Sequence, residues 1–265
     1  MENTGLAPTS HFAAELVDLV IDHNHSDVQD LQSFALVSRQ WTPSSRHHLF
    51  SDVNITHENA REFIRLLTSP DCTFSSAIRR LTINLVPGSQ RWFSEFSRRL
   101  SSNEQVTVSR LRIQGSTQTI IRDEVFVALS MYFSQVKELN FGPVVVQSFS
   151  QFSAFLGSFQ ALETLSCSCI FQNNDHASGI QFNAPLRQVN LELPSTNVVL
   201  EFLHRQGILP AIVALSLSYL TPENLPILVK YLTVHNDNLQ TIAISIDSRV
   251  SDTIMGMSQI YFVYL

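Results

Sequence analysis

One six-residue pattern recurs along this chain at a nearly fixed interval. It consists of an apolar residue, two variable residues, an apolar residue, one variable residue and a final apolar residue. Its last two apolar positions alternate with variable ones, which is the period of a strand buried on one face. The pattern therefore predicts eight short strands, 24 to 30 residues apart, centred on Val53, Leu81, Leu111, Leu139, Leu165, Val189, Leu215 and Ile242.

Helices are predicted between several of these strands, because apolar residues recur there at spacings of three and four. The predicted helices cover residues 58–67, 123–133, 149–159, 198–203 and 225–234. Each unit is then a short strand followed by a helix of about three turns. Because one such unit cannot bury its apolar face alone, we expect successive units to stack around a continuous core.

This plan resembles leucine-rich repeats of an irregular kind. The resemblance implies an α/β fold over residues 51–265, a right-handed solenoid with a parallel, curved sheet and helices on its convex side. Many such repeats carry Asn or Cys three residues after the last apolar position. In this chain neither residue recurs regularly at that position. We therefore expect the turns to satisfy their backbone groups individually.

The sequence closes on an apolar run, residues 260–265. A ninth strand there, with Val263 and Leu265 facing inward, would leave an uncovered edge, which favours aggregation. We expect the solenoid to be truncated or uncapped at its C-terminus. The alternative is a tail that folds back over the last repeat.

The first fifty residues follow a helical pattern instead. Residues 1–11 are predicted to form a flexible tail. Helices are predicted from about Ala13 and from about Asp30, and a third is predicted with Thr42 as its N-cap and Pro43 in its first turn. The first two helices carry apolar residues on more than one face, so the second face packs either within the bundle or against a partner.

Residues 12–50 resemble an F-box in Glu15-Leu16, Val20, Asp30-Leu31, Val37-Ser38-Arg39 and Trp41. The resemblance is greatest to the version abundant in mushroom-forming fungi, in which Leu-Val-Ser-Arg-x-Trp precedes Ser-Arg-x-His-Leu-Phe. Here those two pieces are residues 36–41 and 45–50. An F-box implies docking on the adaptor subunit of an SCF-type ubiquitin ligase, with the contact or its supporting core formed by Phe12, Glu15, Leu16, Val20, Leu31, Val37 and Trp41.

Together the two resemblances imply a substrate-recognition subunit that binds a target protein for ubiquitination and is not itself an enzyme. Two positions depart from the F-box pattern. Phe12-Ala13 stand where the family has Leu-Pro, and Asn24 stands where it has an apolar residue. These departures favour the alternative, a leucine-rich-repeat scaffold whose F-box no longer binds the adaptor.

The predicted target-binding residues flank the inward positions of the strands and would point to the concave face. They are Arg80, Asn84, Arg110, Arg112, Gln114, Glu138, Asn140, Gln188 and Asn190. The early end of this face is basic, and the later end is neutral and rich in hydroxyl groups. Stacked Arg side chains would attract an acidic or phosphorylated segment, because guanidinium groups pair with such anions in a bidentate manner. The alternative is a solvated face without a ligand.

Other functional classes find little support. A net charge of −6 argues against nucleic-acid binding by phosphate neutralisation. No Gly-rich phosphate loop and no Gly-x-Ser-x-Gly elbow occur, so neither a cofactor nor a catalytic residue is predicted. His23-x-His25 and His47-His48 lack the further ligands of a structural metal site. Cys167 takes an inward strand position, which favours a buried apolar role over a redox pair with Cys169.

The remaining features bear on localisation. Three Cys residues do not form a disulfide framework, which is typical of a reducing compartment. The sequence contains neither a signal-peptide pattern nor an apolar run of about 18 residues. We therefore expect a cytoplasmic or nuclear protein that does not contact a membrane.

Overall fold

The computed structural model describes residues 13–93, 95, 107–175, 180–192, 194–206, 212–220, 225–234, 238–246 and 260–264. The predicted tail, Phe12 and Leu265 lie outside these ranges. The fold is α/β, with a large sheet that is parallel over most of its width. The chain divides into two compact units, Met1–Asp52 and Val53–Leu265. We call them the N-terminal and the C-terminal unit.

The N-terminal unit contains α1 (Ala14–His23), α2 (Val28–Val37) and α3 (Thr42–Leu49). Val17 and Ile21 of α1 and Leu31 of α2 form its fully buried core. Phe34, Trp41 and Leu49 pack against that core and remain partly exposed. Polar contacts add to the packing of α1 against α3, since His48 Nε2 lies 2.7 Å from Asp22 Oδ1. The three helices therefore share one small core.

Two helix starts in this unit differ from the sequence-based predictions. Helix α2 begins earlier than expected, because the Asp27 carboxylate accepts hydrogen bonds from the backbone N–H groups of Gln29 and Asp30, at 2.9 and 3.0 Å. The prediction that Thr42 caps α3 is wrong. Thr42 is the first residue of α3, and its hydroxyl donates to the carbonyl oxygens of Ala35 and Ser38, both at 3.0 Å.

The C-terminal unit alternates strands with helices over most of its length. In chain order the elements from residue 52 onward are β1 (Asp52–Ile55), α4 (Ala60–Leu67), a 3-10 helix (Ser75–Ala77), β2 (Arg80–Asn84), β3 (Arg110–Gln114), β4 (Ile120–Ile121), α5 (Asp123–Tyr132), β5 (Glu138–Phe141), β6 (Val145–Ser148), α6 (Phe149–Gly157), β7 (Thr164–Cys167), β8 (Ile170–Asn173), β9 (Gln188–Glu192), α7 (Thr196–Arg205), β10 (Ala214–Leu220), α8 (Leu225–Val234), β11 (Thr241–Ile246) and β12 (Ile260–Tyr264).

The main sheet has nine strands in the order β1, β2, β3, β5, β7, β9, β10, β11, β12. A strand lies at each of the eight copies of the sequence pattern, so that prediction is confirmed. From β2 to β11 the strands are parallel, and the middle apolar residues of the copies are register partners across the sheet. These partners are Leu81, Leu111, Leu139, Leu165, Val189, Leu215 and Ile242, all of them buried.

Helices cover the face of the sheet that carries these buried residues. Phe126 of α5 and Phe152 and Phe155 of α6 pack their rings around Phe141 of β5, with ring centroids 5.4 to 6.0 Å apart. Phe202 of α7 joins the cluster through Phe149, at 5.6 Å. Such edge-to-face and stacked contacts add to the stabilisation that comes from burying apolar area. The core of the C-terminal unit therefore lies between the sheet and its helices.

A backbone ladder stabilises the amino ends of the parallel strands. Six carbonyl oxygens each accept two N–H groups at 2.7 to 3.1 Å, and the second donor is always the first residue of the next strand. The acceptors are Arg79, Ser109, Lys137, Glu163, Arg187 and Val213. This ladder is one repeated main-chain arrangement that needs no particular side chain. It lies at the opposite edge from the turns that follow the strands, so it does not bear on the expectation that those turns satisfy their backbone groups individually.

Two features of the sheets were not predicted. Strands β4, β6 and β8 form a second, parallel sheet of three strands. Strand β12 pairs with β11 in the antiparallel sense, with Val263 opposite Ile242, so the main sheet is not parallel throughout. In addition, no helix follows β8 within residues 174–175 and 180–187, although each unit was expected to contain one.

Candidate functional site

The first candidate surface consists of exposed apolar side chains on α1 and α2. Leu16, Leu19 and Val20 are three and four residues apart, so they share one face of α1. Their exposed fractions are 51%, 65% and 42%. On α2 the exposed apolar residues are Val28 near the start and Leu36 and Val37 at the end. We call these six residues the apolar set.

The predicted adaptor-binding residues separate into two groups. Leu16, Val20 and Val37 belong to the apolar set, and Glu15 is also exposed. Leu31 is buried in the core, and Trp41 is half-buried with its ring 5.3 Å from that of Phe34. Leu31 and Trp41 can therefore support a contact surface, but Leu31 is not part of one. Sequence reasoning missed Leu19, Val28 and Leu36, because apolar spacing alone does not tell which face of a helix is covered.

Asn24 lies at the C-terminal end of α1 and is half-buried. Its side-chain Nδ2 donates to the Val20 carbonyl at 2.8 Å, and its backbone N–H donates to Ile21 at 3.0 Å. The residue thus satisfies carbonyl groups that the helix end leaves without partners. A polar residue at this position is compatible with the core of Val17, Ile21 and Leu31.

The second candidate surface is the face of the main sheet opposite the helices, which we call the outer face. Its side chains alternate along each strand with the buried ones. The register aligns them in rows, one of which runs Thr82, Arg112, Asn140, Ser166, Asn190 and Ser216. All nine residues predicted to bind a target lie on this face. Arg80, Arg110, Arg112 and Gln188 are exposed, and the other five are half-buried.

The basic end of the outer face is less charged than the sequence suggested. Arg110 Nε lies 2.9 Å from Glu138 Oε2 on the neighbouring strand, so one of the Arg side chains is paired with a carboxylate. With the Gln114 side-chain amide oriented so that its oxygen faces Arg112, the Arg112 guanidinium donates to that oxygen at 2.9 and 3.1 Å. Among the described residues Arg112 therefore has an amide partner rather than a carboxylate partner.

A polar pocket of about 160 Å³ opens on the outer face at the carboxyl ends of β5, β7 and β9. We call it the serine pocket. Its lining residues are Asn140, Phe141, Ser166, Cys167, Ser168, Asn190, Leu191, Glu192, Ser216 and Ser218. Inside it, Asn190 Nδ2 donates to Ser166 Oγ at 3.0 Å. The sequence placed Asn140 and Asn190 on this face, but it gave no sign that Ser168, between β7 and β8, would line a pocket with them.

Groups that could support chemistry are few in the described part of the chain. Cys167 and Cys169 are free thiols, and both are buried. Burial raises the pKa of the Cys169 thiol well above its usual range, so this thiol stays protonated. Over the same residues, no cluster of three or more His, Cys, Asp and Glu side chains is placed to hold a metal ion.

The comparisons with known proteins add no identification. No family model matches the sequence, and no curated protein matches it. None of the helices described above is both long enough and apolar enough to cross a membrane.

Proposed function

We propose that this chain is a substrate-recognition subunit of an SCF-type ubiquitin ligase. In this proposal residues 12–50 are an F-box of the fungal type, and residues 51–265 are a right-handed leucine-rich-repeat solenoid. The outer face is its concave side, and the helices lie on its convex side. The F-box docks on the ligase adaptor, and the outer face binds a target protein.

The observation that carries the proposal is the exposure of the apolar set. Over its described residues, 13–52, the N-terminal unit buries three core residues completely, yet it exposes six large apolar side chains. Leu36 alone is 87% exposed. Three of the six, Leu16, Leu19 and Val20, share one face of α1, and an exposed apolar face of this kind is typical of a surface that a partner covers. The F-box resemblance supplies the partner, because Leu16, Val20 and Val37 occupy positions that it assigns to the adaptor contact.

The proposed role requires no chemistry from this chain. A receptor holds its target near the ubiquitin-loaded enzyme of the ligase and so raises the effective concentration of the target there. This role agrees with the absence of a catalytic motif from the sequence and with two thiols that are buried. It also places the protein in the cytoplasm or nucleus, where ubiquitin ligases of this type act.

Calorimetry with the full chain and a fungal SCF adaptor subunit tests the proposal. The informative variant is Leu16→Asp with Val37→Asp, because both side chains are exposed and a carboxylate there leaves the core intact. We expect binding at about 1 μM or tighter for the original chain, and a loss of at least about tenfold in the variant. Leu31→Asp is unsuitable, since Leu31 is buried.

The matched control is Val127→Asp with Met131→Asp. These two exposed residues lie on α5 of the C-terminal unit, with 58% and 62% of their surface accessible. The control should bind the adaptor as the original chain does, and circular dichroism should show all three proteins folded. No binding by the folded original chain would overturn the proposal and leave the repeat scaffold as the better interpretation.

A further inference from the structure

We propose that the serine pocket binds an arginine side chain of the target, an inference that rests on the proposed use of the outer face for target binding. The pocket opens on the same face as the nine predicted target-binding residues, and Asn140 and Asn190 belong to both sets. Its volume is about 160 Å³. A cavity of about 150 Å³ holds a molecule as large as benzene. The pocket therefore has room for the terminal group of one long side chain.

The charge of the pocket selects a cation. Glu192 is the one carboxylate among the lining residues, all of which lie in the described part of the chain, and no Lys, Arg or His lines the pocket. Glu192 is exposed at the end of β9. An anionic group in the pocket would meet this carboxylate without a compensating charge, whereas a cation would pair with it. The pocket thus differs from the basic end of the outer face, where Arg112 favours an acidic group.

The neutral lining residues favour arginine over lysine. Asn190 uses its amide nitrogen to donate to Ser166, so its side-chain oxygen remains an acceptor. Asn140, Ser216 and Ser218 supply further oxygens, and no protein group in the described residues engages their side chains. A guanidinium has five N–H donors and no acceptor, and its planar fork can address a carboxylate and several oxygens together. The ammonium group of lysine is compact and more strongly hydrated, so it would bind fewer of these oxygen atoms at once.

Nuclear magnetic resonance on the ¹⁵N-labelled full chain tests the inference, with acetyl-Gly-Arg-Gly-amide as the probe. We expect saturable shifts of backbone amide signals from residues 190–192 and 216–218. The same peptide with citrulline, a neutral isostere of arginine, should not saturate. Lysine in place of arginine should bind more weakly. The variant Glu192→Gln should weaken binding of the arginine peptide by about tenfold or more, because it removes a charge-assisted pair.

The matched control is Glu163→Gln. It makes the same chemical change just before β7, outside the pocket, where Glu163 pairs with Lys137. This variant should bind the arginine peptide as the original chain does. The inference is overturned if the citrulline peptide binds equally well, if Glu192→Gln leaves the affinity unchanged, or if the signals named above do not shift saturably.

The two proposals fail independently of each other. Adaptor calorimetry reports on the apolar set of the N-terminal unit, and the peptide titration reports on the C-terminal unit. Arginine binding without adaptor binding would retain the pocket and remove the ligase role. Adaptor binding without arginine binding would retain the ligase role and remove the assignment of the serine pocket to arginine.

Discussion

Arg110 on β3 and Glu138 on β5 form an ion pair across the outer face, with 2.9 Å between Arg110 Nε and Glu138 Oε2. The two residues are register partners, so the sheet itself brings them together. Their side chains are 54% and 44% exposed. Solvent therefore screens the attraction between them. The pair should contribute little stability. Either side chain can therefore leave its partner and bind a group on a target instead.

A double-mutant cycle measures this contribution. We expect Arg110→Ala and Glu138→Ala to show a coupling energy of about 1 kcal/mol or less in urea denaturation. Lys137 and Glu163 form the matched control pair, at 3.1 Å and with similar exposure, and should give a similar value. A coupling energy above about 2 kcal/mol would mean that the first pair is far less solvated than the structure indicates.

The aromatic core should be sensitive to the removal of one ring. Phe152 is fully buried, and its ring contacts those of Phe126, Phe141 and Phe171. We expect Phe152→Ala to lower the free energy of unfolding by about 3 to 5 kcal/mol, because the lost burial is accompanied by a cavity. Val127→Ala, at an exposed position of α5, should change it by about 0.5 kcal/mol or less. Equal effects of the two substitutions would contradict the described core.

The three thiols should differ in reactivity. Cys167 and Cys169 are buried and Cys72 is partly exposed. A thiol reagent such as dithionitrobenzoate attacks through the thiolate, and burial raises the pKa of Cys169 and so disfavours its thiolate. We expect the reagent to modify Cys72 in the native protein and the other two residues only after unfolding in urea. Cys72→Ser should abolish the native reaction, and any remaining native reaction would show that the buried pair is accessible.

The main sheet could be predicted from sequence because its signal is local. In copies such as Leu81-x-Ile83 and Leu111-x-Ile113 the alternation of apolar and polar residues fixes which side chains face the core. The same alternation places Arg112 and Asn140 on the outer face. The near-constant repeat then makes the middle residues register partners, as the parallel pairing shows.

Other elements depend on partners that are distant in sequence. Strand β4 is only Ile120–Ile121, too short to show an alternation, and it is a strand because it pairs with β6. The antiparallel sense of β12 depends on how the chain returns to β11, and no local pattern encodes that path. The exposure of the apolar set also depends on packing between parts of the chain that are distant in sequence. Leu31 and Leu36 are equally apolar in sequence, yet the packing of three helices buries one and exposes the other.

Asp175 gives the C-terminal unit a contact that depends on pH. Its carboxylate accepts hydrogen bonds from the hydroxyls of Ser148 and Ser150, at 2.8 and 2.9 Å, next to the start of α6. The Ser148 hydroxyl, and after it Ser150, holds the pKa of Asp175 below its ordinary value. The ionised carboxylate is thus the form that the folded protein prefers.

We expect Asp175→Asn to lower stability at neutral pH and to matter progressively less in acid. Because the folded pKa is lowered, the stabilising contribution is fully present above the unfolded value of about 3.9 and is lost as the pH falls through the folded value. Urea midpoints of the original chain and the variant should therefore converge between about pH 4 and the lowest pH at which the fold persists. Asp71→Asn is the control, since Asp71 is exposed, and its midpoint should follow that of the original chain at every pH. A gap between Asp175→Asn and the original chain that stays constant with pH would show that the carboxylate charge is not its cause.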